Sequence, residues 1–136
     1  MAIPVEWYNE DRTMIIQRFG SGWTFQDVIQ MMDETADLLD TISHRAAVIS
    51  DLSQSKTTPN LSVGALQRIA NHRLTKHPNL IRIYMIGVQT YVRVVVQVFA
   101  RMFPAAFKRY QLADTTEAVE KTLAHELAKT PEAAEH

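Results

Sequence analysis

Cysteine is absent from the 136 residues, which excludes disulfides, zinc–thiolate centres and a cysteine nucleophile together. A thiol-free chain is also what a reducing compartment permits. An excess of one charge is missing too: 15 acidic residues stand against 14 basic ones, for a formal net charge of -1. A basic nucleic-acid face needs a surplus of Lys and Arg, so no nucleic-acid partner is expected. Nor is any apolar run long enough for a transmembrane segment. The longest, residues 88–103, is interrupted by Gln89, Arg93, Gln97 and Arg101, whereas a spanning helix needs about 20 mostly apolar residues. The opening Met1-Ala2-Ile3-Pro4-Val5-Glu6-Trp7 has no basic segment leading into an apolar one. A secretory leader is therefore not expected, and the expected location is cytoplasmic.

Catalytic and metal signatures are equally scarce. Gly20-Ser21-Gly22 lacks the spacing of a nucleophile elbow or a dinucleotide loop. His44 and His125 stand alone, and no His-x-x-x-His pair or mixed carboxylate cluster suggests a metal. His72 and His77 lie near Arg68, Arg73 and Lys76, where cations oppose the negative end of a helix. No catalytic residue, metal or cofactor is assigned, and the chain is expected not to be an enzyme.

What is present is the composition of a globular protein, 46% hydrophobic and 21% charged. The length fits one domain, expected over residues 1–128 with a mobile tail at 129–136. Strand-like runs at residues 3–8 and 13–19, separated by polar Asn9-Glu10-Asp11-Arg12, predict a hairpin. Thr24 and Asp27 have capping-box spacing. Behind them Phe25, Val28, Ile29, Met32, Ala36 and Leu39 recur at helical intervals, while Asp33, Glu34, Asp37 and Asp40 read as a solvated face. Ala46-Ala47-Val48-Ile49 reads as a buried parallel strand. A polar loop, residues 52–60, leads to a helix from residue 61 or 62 to residue 74, stopped by His77-Pro78-Asn79. A strand at residues 80–88, a helix from Thr90 to Phe103-Pro104, a weaker strand at 107–112 and a helix capped by Asp114 complete the pattern. The order β-β-α-β-α-β-α-β-α predicts an α/β domain: a single mixed, mostly parallel sheet with an N-terminal hairpin and about four helices. In such sheets function sits at the carboxyl ends of the strands, here the loops after Val48-Ile49 and Met85-Ile86.

Several residues carry a family likeness. The strand pair, the helix opening at Trp23-Thr24, the run Val48-Ile49-Ser50-Asp51-Leu52-Ser53 and the strand at 80–87 resemble the STAS domain. The closing Phe107-Lys108-Arg109-Tyr110-Gln111-Leu112-Ala113-Asp114-Thr115-Thr116-Glu117-Ala118 is similar to the last strand and helix of its bacterial anti-sigma-factor-antagonist-like, or SpoIIAA-like, group. The resemblance implies a STAS-like fold and a non-enzymatic regulatory or protein-interaction domain. In typical antagonists a serine or threonine at the entrance of the second helix is phosphorylated by a partner kinase, so a kinase-type regulator is the implied protein partner. Asp51 and Ser53 match the Asp-Ser of that motif loosely; its glycine is missing, and the loop is extended through Thr57, Thr58 and Pro59. Lipid-carrier-like members of the wider group imply an alternative, a carrier or sensor of a small apolar ligand.

Two regions follow as candidate sites. The loop with Asp51, Ser53, Ser55, Thr57 and Thr58 offers four hydroxyls for phosphorylation ahead of a helix, or is an ordinary surface loop whose hydroxyls cap turns. The helix beginning at Thr90 is apolar over an arc of roughly 200°, about twice what a surface helix buries. Val92, Val96, Phe99 and Phe103 form one flank, continued by Tyr91, Val94, Val95, Val98 and Met102. One face can dock on the sheet; the excess predicts a partner surface, with Val92, Val96, Phe99 and Phe103 as its candidate interface and a homodimer as the simplest case, or burial under neighbouring elements.

Overall fold

The computed structural model describes residues 2–56 and 60–129. Near the N-terminus, Asn9 closes the first turn: its side-chain oxygen accepts the N–H groups of Thr13 at 3.1 Å and Met14 at 3.3 Å. The turn folds β1 (Val5–Trp7) onto β2 (Met14–Arg18) as an antiparallel pair. Helix α1 (Phe25–Asp40) then starts from a reciprocal cap. Thr24 Oγ1 accepts the Asp27 N–H at 3.2 Å, and the Asp27 carboxylate accepts the Thr24 N–H at 2.8 Å, an arrangement that contributes about 1 kcal/mol. Strand β3 (Ala46–Asp51), helix α2 (Val63–Ala70), strand β4 (Leu80–Ile86) and helix α3 (Thr90–Met102) follow. A four-residue helix α4 (Pro104–Phe107), strand β5 (Tyr110–Leu112) and helix α5 (Thr116–Lys129) complete the described chain. The sheet order is β1-β2-β3-β4-β5, with β2 to β5 parallel. This is the α/β plan read from the sequence, with five helices among the described residues where about four were expected.

The differences have local causes. α2 stops at Ala70, not residue 74, because polar side chains take over the backbone groups beyond it. Thr75 Oγ1 donates to the Ile69 carbonyl at 2.8 Å, and His72 Nδ1 accepts the Leu74 N–H at 2.9 Å. Pro104 restarts a helix as α4, where its missing N–H costs nothing in the first turn. Those residues leave only Tyr110–Leu112 for the last strand. α5 extends through Lys129; the rest of the expected tail, from residue 130, lies outside the described residues.

Alternation along the strands divides the core in two. Ile15, Val48, Leu80 and Ile83 face α1 with Val28, Met31, Met32, Ala36 and Leu39. Met14, Ile16, Ala47, Ile49, Ile81 and Tyr84 face Val119 and Leu123 of α5. The acidic side of α1 is exposed, and Asp33, Asp37 and Asp40 on it are partnered. Asp33 meets His72 Nε2 at 2.8 Å, Arg73 bridges Asp37 and Asp40 at 2.8 Å each, and Asp40 takes His77 Nε2 at 2.7 Å. His77 Nδ1 accepts the Asn79 N–H at 3.1 Å. Its remaining proton is therefore on Nε2, aimed at Asp40. Of the residues read as complementing a helix end, Arg73, His72 and His77 fasten α1 to the turn that enters β4, while Arg68 lies in the last turn of α2.

Candidate functional site

Strands β2 and β3 carry polar residues where their apolar neighbours face the α1 side. Gln17 and Ser50, 1% and 6% exposed, pair across the sheet. Ser50 Oγ donates to Gln17 Oε1, Gln17 Nε2 donates to Thr35 Oγ1 at 2.9 Å, and Thr35 donates to the Met31 carbonyl at 2.8 Å. Gln17, Ser50 and Met31, though not Thr35, are among the residues around a cavity of about 140 Å³ between the sheet and α1, α2 and α3, whose accessible wall is apolar. The remaining lining is almost wholly apolar: Phe19, Trp23, Met31, Met32, Leu66, Ile69, Leu74, Ile83 and Met85, with Val92, Val95, Val96 and Phe99 of α3 as the cover. Phe99 meets Phe103 at 5.6 Å, Phe107 at 6.4 Å and Tyr110 at 5.5 Å between ring centroids. The Tyr110 hydroxyl lies 2.7 Å from Thr75 Oγ1. Burial pushes its ionisation up to about 12.

The flank proposed from sequence as a partner face is the inner flank of α3. Val96 and Phe99 are buried, Val92 is half-buried against the core, and Phe103 packs half-buried beside Phe99. The shift has a simple cause: β4, β5 and α2 offer apolar surface to that side. The excess arc lies one step round the helix, where Tyr91, Val94, Val98 and Met102 are 39–54% exposed.

Asp51 ends β3, and its Oδ1 accepts the Ser53 N–H at 2.9 Å. Ser53 is exposed. Ser55 is not: it is 5% exposed, its Oγ accepts the Trp23 indole N–H at 2.9 Å, and its carbonyl accepts from Gln89 Nε2 at 3.0 Å. Thr57 and Thr58 lie outside the described residues. Ser62, not Ser53 or Ser55, caps α2, accepting the Ala65 N–H at 3.1 Å. Gly87, at φ 67°, lets this loop lie against the β4 exit; a Cβ there would stand 2.6 Å from Ser53 Cα. Among the described residues no group of three His, Cys, Asp or Glu side chains could hold a metal, and no helix is long and apolar enough to cross a membrane.

No protein-family model and no curated protein sequence matches the chain. Solved structures do. One is the anti-sigma factor antagonist SpoIIAA in its unphosphorylated form, at a TM-score of 0.57 and 16% identity over 90% of this chain and 98% of that one. Another is an uncharacterised DUF3478-family protein with a SpoIIAA-like fold from Shewanella loihica, at 0.52 and 19% over 88% and 90%. The chain has the SpoIIAA-like fold. Within this SpoIIAA-like frame the cavity and the residue 51–56 loop are neighbours, joined through Trp23 and Leu52, which line the one and contact or belong to the other. Gln17, Thr35, Ser50 and Ser62 were not singled out from the sequence. The signal for two of them was present: a polar residue inside an otherwise apolar strand run is either a break or a lining group.

Proposed function

We propose that the chain is a non-enzymatic regulatory domain of STAS type that binds a small apolar molecule between its sheet and α3. The cavity carries this reading. Native cores pack with few voids larger than a water, whereas an engineered apolar cavity of about 150 Å³ stays dry and binds benzene. A space of about 140 Å³ at the centre of one core layer is of that class. Its cover supports a regulatory role. α3 contributes Val92, Val95, Val96 and Phe99 inward, while Tyr91, Val94, Val98 and Met102 face out as an apolar stripe. Ligand and protein partner, a second copy in the simplest case, would therefore read opposite sides of one helix. Native mass spectrometry of freshly purified protein tests the reading. A small mass that stays through buffer exchange and leaves on denaturation is expected. A bare polypeptide mass that no added apolar compound shifts would remove the ligand from the proposal.

A second reading, phosphorylation of the loop, is favoured by one observation. Ser53 is exposed at the carboxyl end of β3, with Asp51 holding its N–H. Ser55 is the weaker acceptor, since its hydroxyl is buried against Trp23. Incubation with a cognate kinase is expected to place phosphate on Ser53; phosphate mapped only outside residues 51–60 would end this reading.

A further inference from the structure

Charge is distributed unevenly along the chain. Residues 52–113 hold nine of the 14 Lys and Arg residues and none of the 15 Asp and Glu residues. That stretch builds α2, β4, α3, α4 and β5 without a carboxylate of its own. Two of its cations find carboxylates elsewhere: Arg73 takes Asp37 and Asp40 of α1, and Arg82 lies 3.8 Å from Glu126 of α5. The ion pairs among the described residues include neither Lys76 nor Arg109. Asp40 lines a surface cleft with Lys76 but already holds Arg73 and His77. Lys76 and Arg109 instead line a second open cleft with Asn71, and Met102, Phe103 and Pro104 give it an apolar wall. Its volume of about 610 Å³ falls in the range of roughly 300–1,000 Å³ typical of small-molecule sites. Arg109 is held in place there: its Nη2 donates to the His77 carbonyl at 2.9 Å and to the Leu80 carbonyl. Its Nε and Nη1 N–H groups have no acceptor among the described residues. Partial burial, with Arg45 and Arg82 adding like charge, holds the guanidinium below its ordinary range. An anion beside it offsets that like charge.

We propose that this cleft binds a small organic anion, a carboxylate or phosphate monoester carried on an apolar chain. The head lies between Lys76 and Arg109 and accepts charge-assisted hydrogen bonds from both. The chain covers Met102, which is 44% exposed, and the neighbouring Phe103 and Pro104. A bare inorganic anion would leave that wall in water, so the apolar part of the ligand is as much a requirement as its charge. The cleft shares no lining residue with the cavity under α3, and the proposal does not depend on how that cavity is filled.

The test is an NMR titration of the intact chain at low ionic strength with hexyl phosphate, hexanoate, inorganic phosphate and 1-hexanol, read at the backbone amides of Asn71, Lys76, Met102 and Arg109. Hexanol lacks the charge and is expected to bind at least about tenfold more weakly than either hexyl anion. Inorganic phosphate lacks the chain. A buried methylene is worth about fourfold, so covering two of them leaves inorganic phosphate at least about tenfold behind hexyl phosphate. Lys76 is exposed and its side chain makes no bond among the described residues, so Lys76→Gln keeps the fold. It is expected to weaken both hexyl anions about fivefold and hexanol less than about twofold. Lys108→Gln removes an exposed cation of the same acid-free stretch outside the cleft and is expected to change every affinity by less than about twofold. Equal weakening by the two variants would reveal a diffuse charge effect and overturn the site. Hexanol level with the anions, inorganic phosphate level with hexyl phosphate, or no shift at these amides with either hexyl anion would overturn it too. Shifts confined to Ile83, Met85 and Phe99 would put the probes in the buried cavity and equally remove the cleft.

Discussion

Three glycines allow backbone strain and steric exclusion to be separated around the loop. Gly20 has an ordinary φ and open space where a Cβ would stand; Gly22 has open space but a φ of 81°. Gly87 has both constraints, a φ of 67° and Ser53 N and Cα at 2.6 Å from a Cβ. Alanine restricts the unfolded chain, a gain of up to about 1 kcal/mol where the native backbone suits it. Left-handed backbone costs alanine about 1 to 2 kcal/mol. Gly20→Ala is therefore expected to be neutral or slightly stabilising, and Gly22→Ala to cost about 1 kcal/mol. At Gly87 the contact is with backbone, so the loop itself must move. The Trp23–Ser55 and Gln89–Ser55 hydrogen bonds and the Leu52 N–H to Ile86 carbonyl bond at 2.9 Å are the ties at risk. Losing one buried bond with its partner unsatisfied costs about 1 to 3 kcal/mol, which brings Gly87→Ala to about 3 kcal/mol or more. Urea unfolding followed by tryptophan fluorescence measures all three, and the native-state spectrum of Trp23 reports the displaced loop. Gly87→Ala no more costly than Gly22→Ala would show that the loop does not depend on close approach to the β4 exit.

Three further outcomes follow from buried or paired groups. The hydrogen bond from His77, with Arg73 adding to it against the opposing effect of desolvation, holds the Asp40 carboxyl below its ordinary range. A depressed folded-state value means stability present above the ordinary carboxylate range and lost as pH falls through the folded value, so the stability gap between the parent and Asp40→Asn should hold at neutral pH and shrink as pH falls below the ordinary carboxylate range in acid denaturation. Tyr110, pushed up to about 12 by burial, favours the neutral phenol in the folded state; its contribution is complete below about pH 10 and lost as pH rises through the folded value, a swing of about 3 kcal/mol. Tyr110→Phe should cost about 1 kcal/mol at neutral pH and blunt that alkaline loss in pH-dependent urea titrations. Phe99→Ala, at the centre of the aromatic group, should cost about 3 to 5 kcal/mol, whereas Val94→Ser on the exposed side of α3 should change thermal stability by less than about 0.5 kcal/mol.

The architecture was legible because its signals are local. Capping at Thr24 and Asp27, helical spacing from Phe25 to Leu39, and short apolar runs at 46–49 and 80–88 each specify an element without long-range information. Errors fell where side chains from elsewhere decide a boundary. α2 ends at Ala70 because Thr75 and His72 capture backbone groups, and a helical-period reading of Ile69, Ala70 and Leu74 cannot see that. The arc of α3 was measurable from sequence. Which part of the arc turns inward depends on how β4, β5 and α2 meet it, and this assigned Val92, Val96, Phe99 and Phe103 to the core side instead of a partner.

The site was harder to read than the fold because strand parity is broken between the two central strands. Pairing of β3 with β4 shifts register between Ala46 and Val48, opposite Leu80 and Ile83. Simple alternation groups Ile81 with Ile83, yet Leu80 and Ile83 share the α1 side while Ile81 joins Tyr84 on the α5 side. A bulge of this kind inverts every facing downstream of it. It directs Ile83 and Met85 toward the space that Gln17 and Ser50 line from the adjacent strands. The cavity is consequently a property of register and helix placement, not of any motif. A chain with the same residue types but an unbroken β4 alternation would present Ile81 there, turn Ile83 to α5, and lose the apolar wall that faces the Ser50–Gln17 pair.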